Sequence, residues 1–133
     1  MRARDTNYEE IAFHLRFHKK LLAFIKYDGV RGLIRNSKLI GKSGLGHANK
    51  AFTELYSDPA LEGLDGEIVV LGEDGKYHPE TCLRKTTSVL STISGGMVPH
   101  KFMIFDCFAD PHSDLSQLGY QQRYFQLCQR LPA

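Results

Sequence analysis

The sequence predicts an α+β domain built around an antiparallel sheet, and three observations carry that prediction. Short apolar runs stand in pairs separated by tight turns, the pattern of hairpins and not of crossover connections. Segments with three- and four-residue apolar spacing interleave with them, so helices cover the sheet. No GxGxxG or Walker lysine motif points instead to a doubly wound parallel sheet. At 133 residues, 42% of them apolar and 24% charged, residues 1–133 have the size and composition of one soluble folded domain or part of one.

In chain order, Tyr8, Ile11, Ala12, Leu15 and His18 recur at helical intervals, and this helix is expected to end near Lys19 and Lys20. The run LLAFI, residues 21–25, reads as a buried strand entering the Asp28-Gly29 turn. Val30, Leu33 and Ile34, then Leu39 and Ile40, predict two strands joined by an Asn36-Ser37 turn, followed by a loop marked by Gly41, Gly44 and Gly46. Residues His47 to Tyr56 read as a helix stopped by Asp58-Pro59. The strand LDGEIVVL closes at Asp74-Gly75. Thr86, Val89, Leu90, Ile93 and Met97 predict a helix ended by Gly95-Gly96. KFMIFDCF, residues 101–108, is a strand, and Tyr120, Tyr124, Leu127 and Leu131 predict a last helix.

Seventeen basic against 15 acidic residues leave a formal net charge of +2, which permits nucleic-acid binding without announcing it. Cys82, Cys107 and Cys128 form no CxxC pair, which argues against a disulfide framework or a zinc site and fits a reducing compartment. No apolar run approaches the roughly 20 residues a membrane span requires, and the start, MRARDTNYEE, lacks a signal-peptide core. The cytosol is the expected location, and no membrane is an expected partner.

The informative chemistry begins at Lys26-Tyr27-Asp28-Gly29-Val30-Arg31. A lysine at a strand end is a nucleophile if burial, nearby cations or a metal favour its neutral amine. Asp28-Gly29 makes the turn, glycine permits close backbone approach, and Arg31 offers a fork for ribose or phosphate. Taken alone, Lys-x-Asp-Gly reads equally as a charged hairpin turn. Leu64-Asp65-Gly66-Glu67 opens a second apolar strand, and Phe105-Asp106 places an aromatic ring beside a carboxylate on a third. Each alone reads more simply as a turn or a core strand.

Together and in this order, the three pieces resemble the covalent nucleotidyltransferase superfamily of DNA ligases, RNA ligases and mRNA capping enzymes. KYDGVR, with Arg31 present, is similar to the nucleophile motif of ATP-dependent DNA ligases, in particular small bacteriophage-type ones. The resemblance spans about Leu21 to the helix containing Arg123. It implies an antiparallel-sheet, ATP-grasp-like adenylation domain in which Lys26 forms lysyl-AMP, with Ile25 beside it in the ATP site. It makes Arg31 a nucleotide contact, Glu67 a ligand of ribose or metal, Phe105 the ring that stacks on adenine, and Asp28-Gly29 the turn of the motif. Where the family has a Ser-Arg pair this chain has Gly41-Lys42-Ser43-Gly44, so Lys42 stands in as the phosphate contact. Asn49 falls where phage-type relatives carry asparagine, and reads equally well as a helix cap.

The implied cofactors are ATP and Mg²⁺. The implied acceptor is nicked double-stranded DNA, sealed in replication, repair or recombination in a bacterial or phage-infected cytosol. The family continues with a Glu-Gly strand, a lysine motif for the triphosphate and an OB-fold domain. None of these precedes Ala133, so the resemblance implies an adenylation domain incomplete at its C-terminus. An mRNA capping guanylyltransferase or RNA ligase fragment shares the lysine chemistry. A non-catalytic remnant, or one subunit of a split ligase completed by a second chain, is the third reading.

His14 and His18 lie four apart on a predicted helix, without a third ligand nearby, and the other four histidines read as surface residues. Cys107 reads as a packed small hydrophobe.

Overall fold

The computed structural model describes residues 6–18 and 21–131; Lys19 and Lys20, the expected end of the first helix, lie outside that range. Helix α1 (Tyr8–His18) is followed by strands β1 (Val30–Arg35) and β2 (Lys38–Ile40), helix α2 (Lys50–Leu55) and a 3-10 turn at Pro59–Leu61. Then come β3 (Leu64–Val70), α3 (Pro79–Ser91), β4 (His100–Cys107), a small pair β5 (Ala109–Asp110) and β6 (Ser113–Asp114), and α4 (Tyr120–Arg130). The main sheet has the order β2-β1-β3-β4 with every neighbouring pair antiparallel. An α+β domain on an antiparallel sheet is therefore what the chain forms.

The β1–β2 hairpin turns on Asn36 and Ser37, both left-handed at φ 52° and 55°. That is the backbone of the two-residue turn whose twist matches its strands. Both turn amides donate to the Glu62 carboxylate, at 2.9 and 3.1 Å. On β3 the side chains alternate, so Leu64 and Ile68 enter the core while Asp65 and Glu67 occupy the other face. The core gathers Ile34, Leu39, Phe52, Leu64, Ile68, Leu90, Cys107 and Leu127. Helix α3 buries Cys82, Thr86 and Leu90, one residue per turn, and Thr86 Oγ1 accepts the Val70 amide at 3.0 Å. Asn49 caps α2 by accepting from the Ala51 and Phe52 amides, and its Nδ2 donates to Val89 O at 3.0 Å.

Four expectations need correction. Residues 21–25 form no strand and stay exposed, Ile25 at 75%; an apolar run becomes a strand only where a neighbour supplies ladder partners, and the ladder of β1 begins at Val30↔Ile68. Helix α2 starts at Lys50 and not His47, because the Ala48 and Asn49 amides donate to Leu90 O. Helix α3 ends at Ser91, before Gly95; the Ser91 and Thr92 hydroxyls bond back to Ser88 O, and Ile93 and Met97 are exposed. His100 is not a surface residue but packs on Phe52 at 4.5 Å. Its Nδ1 faces the Val98 carbonyl, so that nitrogen carries the hydrogen and Nε2 accepts from the Tyr56 hydroxyl at 2.8 Å. Burial pushes the Tyr56 phenol up to about 12. Among the described residues no helix is long and apolar enough to cross a membrane.

Candidate functional site

The Lys26 loop reaches the sheet through Gly29. A Cβ at this position would lie 2.1 Å from Ile68 O, so the close approach to β3 requires glycine. The Gly29 backbone lies close enough to the Glu67 carboxylate to favour its charged form. One residue earlier, the Asp28 amide donates to the Tyr77 hydroxyl at 2.8 Å, while the Tyr27 and Tyr77 rings meet edge to face with centroids 5.1 Å apart. Lys26 Nζ lies 3.5 Å from Asp28 Oδ1, and its side chain is 89% exposed.

Arg31 and Glu67 are cross-strand partners, yet the Arg31 fork turns to Asp65, with Nε 2.9 Å from Oδ1 and Nη2 2.5 Å from Oδ2. The Asp65 carboxylate raises the Arg31 pKa above its ordinary value, burial opposing. Burial likewise raises the Glu67 carboxyl, and Asp28 and Asp65 add to the rise. The Gly29 amide and the Arg31 charge pull the other way without winning.

On β4 the pairing skips Phe105: Asp65 faces Asp106, and Gly66 faces Ile104. Phe105 is thus the extra residue of a β-bulge, the device by which a strand re-aims a side chain. Gly66 makes the close fit possible, since a Cβ there would lie 2.6 Å from Met103 O. Helix α4 braces the bulge. Tyr120 donates its hydroxyl to Phe105 O at 2.8 Å, and Arg123 forks onto Asp106 at 2.9 and 2.8 Å. The Cys107 thiol donates to Arg123 O at 3.2 Å. Burial pushes that thiol up, as suits a packed side chain.

Between these two constructions lies an open cleft of about 430 Å³, lined by Phe24, Ile25, Lys26, Tyr27, Asp28, Gly29, Glu67, Leu83 and Phe105. Its size lies within the usual range for small-molecule sites. The structure brings together Ile25, Lys26, Asp28, Gly29, Glu67 and Phe105 from three sequence motifs. Arg31 and Lys42 do not line the cleft; Lys42 is exposed in the loop after β2. Phe24, Tyr27 and Leu83 were not foreseen. Leu83 carries no signal beyond its place on α3, whereas the two aromatic residues flank Lys26 in sequence and could have been found by adjacency. A wider groove of about 640 Å³ runs along α4 past Leu22, Leu118, Tyr124 and Phe125. Its lining has neither an acidic nor a basic side chain, whereas the smaller cleft has Lys26, Asp28 and Glu67.

Among the described residues no group of three or more His, Cys, Asp or Glu side chains gathers as a metal site. Mg²⁺ usually takes one or two carboxylates and completes its shell with water and phosphate oxygens. Glu67, with the Asp28 charge close enough to act on it, fits such a partial site. The His14 and His18 rings stack at 5.8 Å. His47, expected at the surface, is half-buried, with Nε2 lacking a hydrogen-bond partner. Burial lowers its pKa, with the Arg31 backbone acting the other way.

Fold and cleft together define an α+β domain carrying a lysine, a carboxylate and an aromatic ring around one open cleft. No family model, curated protein or solved structure matches the chain.

Proposed function

We propose that this is the adenylation domain of an ATP-dependent DNA ligase, in which Lys26 takes AMP from ATP. The observation that carries the reading is the convergence of Ile25, Lys26, Glu67 and Phe105, from three separate motifs, on one cleft. Nζ attacks the α-phosphorus as a neutral amine, a P–N bond forms, and the P–O bond to the β-phosphate breaks as pyrophosphate leaves with the electron pair. Asp28, 3.5 Å from Nζ, is a carboxylate able to receive the proton.

Phe105 offers a ring face for adenine, and Glu67 a carboxylate for ribose or Mg²⁺. Bound Mg²⁺ would supply charge neutralisation at the phosphates. Arg31 turns Nε and Nη2 to Asp65 and stands outside the cleft lining, so its part in this reading is to hold Asp65 beside Glu67 on β3. In the full reaction AMP passes to a 5′-phosphate at a nick in double-stranded DNA, and a 3′-hydroxyl displaces it. The cytosol is the compartment that goes with this reading.

A second reading, a subunit completed by another chain, is favoured by the exposure of Lys26 and by the apolar side chains of Tyr8, Phe13, Phe17, Phe24 and Ile25 that stand in solvent. One experiment addresses both: the intact mass of the chain after incubation with ATP and Mg²⁺, beside a GTP sample and Lys26→Ala. An AMP adduct absent from Lys26→Ala is expected. A GMP adduct instead would favour capping chemistry, and no adduct with either nucleotide would remove the proposal that the chain acts alone.

A further inference from the structure

Lys26, Tyr27 and Asp28 stand ahead of the first ladder pair, Val30↔Ile68, so the sheet itself does not fix the nucleophile loop. Phe24 packs on Tyr120 and Tyr124 of α4, and at Asp28 the contact comes from the connection between β3 and α3. Gly75, left-handed at φ +73°, turns that connection, with Gly72 N bonded to Lys76 O at 2.8 Å and Gly75 N to Gly72 O at 2.9 Å. Asp74 accepts the Lys76 amide and pairs with His78 at 2.9 Å. This closed turn presents Tyr77, whose hydroxyl accepts the Asp28 amide at 2.8 Å and whose ring packs on Tyr27. The next residue, Gly29, packs directly on β3, where a Cβ would lie 2.1 Å from Ile68 O, so the amide that Tyr77 holds adjoins the point at which the loop meets the sheet.

From this geometry we infer that Tyr77 is a positioning residue: through the Asp28 amide it fixes the Lys26 loop against Glu67. The inference rests on the proposed nucleotide reaction for its kinetic consequence but not for its structural one. Holding the Asp28 amide narrows the backbone positions from which the exposed Lys26 side chain reaches the cleft it shares with Glu67 and Phe105. Releasing one amide widens the range of positions and slows attack without removing a group that grips the nucleotide. A purely packing role would need only the ring.

Tyr77→Phe keeps the ring and removes the hydroxyl, which separates the two roles. The experiment follows single-turnover AMP transfer across ATP concentrations in the wild type and Tyr77→Phe, with Asp28 amide exchange measured by NMR and the thermal midpoint as a folding control. A fall of roughly 10-fold in maximal rate is expected, with half-saturating ATP within about twofold, Asp28 exchange at least ~10-fold faster and a nearly unchanged midpoint. An active wild type whose Tyr77→Phe variant keeps the rate would overturn the inference. If the wild type forms no adduct, the functional proposal fails separately. Asp28 exchange then decides for Tyr77: faster exchange upholds its hold on the loop, and unchanged exchange overturns it.

Discussion

The two walls of the cleft are built to different standards. The wall at β4 and α4 carries Phe105 on a bulge that Tyr120 bonds at its carbonyl and that the Asp106–Arg123 fork pins from the next residue. Both members of that fork are about one-fifth exposed, at 19% and 18%. The opposite wall presents Lys26 at 89% exposure, with one ion pair at 3.5 Å and a neighbouring amide held by a phenol. Segments with few buried contacts open at a lower free energy than the packed elements beside them. The contrast teaches that the aromatic side of the site is organised before any ligand arrives, while the lysine side can still adjust to one.

Removing the Asp106 carboxylate tests the firm wall and carries the largest expected stability effect. Asp106→Ala leaves the Arg123 guanidinium partly buried without its partner and should cost about 3 kcal/mol in urea unfolding. A loss under ~0.5 kcal/mol, the scale of an exposed pair, would break the contrast.

An intermediate effect is expected at Glu67, between the walls. Burial raises its folded pKa above the ordinary 4.5, so ionisation costs the folded state more than the unfolded chain. Its favourable contribution is fully present below the ordinary value and is lost as pH rises through the raised one. Glu67→Gln should flatten the stability–pH profile across that interval. A profile identical to that of the wild type would mean that the Gly29 amide and Arg31 offset the burial.

The smallest effect belongs to the lysine wall. Asp28→Asn should change stability by less than ~0.5 kcal/mol, because the ion pair it removes is exposed. A thermal or urea measurement giving more than ~1 kcal/mol would show that wall to be as firmly held as the other.

Much of the site was legible where chemistry is local. The close approach of Gly29, and the carboxylate and ring on two later strands, each announce themselves within a few residues. Arg31 shows the limit. Its fork suits phosphate in the abstract, but Asp65, 34 positions on, is the anion that β1–β3 pairing delivers to it. Lys42 shows it again, since nothing within its loop reveals that β1 separates β2 from the strand bearing Glu67.

The sequence by itself determined the antiparallel α+β class, the Asn36-Ser37 hairpin turn, the amphipathic course of α4 and the glycine at position 29. All of these rest on side-chain periodicity and backbone freedom, which neighbouring residues encode. Only the tertiary structure decided that residues 21–25 stay out of the sheet, that Phe105 sits on a bulge, and that Tyr77 grips an amide 49 positions away. A backbone group takes whichever partner the packed chain brings within hydrogen-bonding distance, and that partner is set by the register and packing of distant elements.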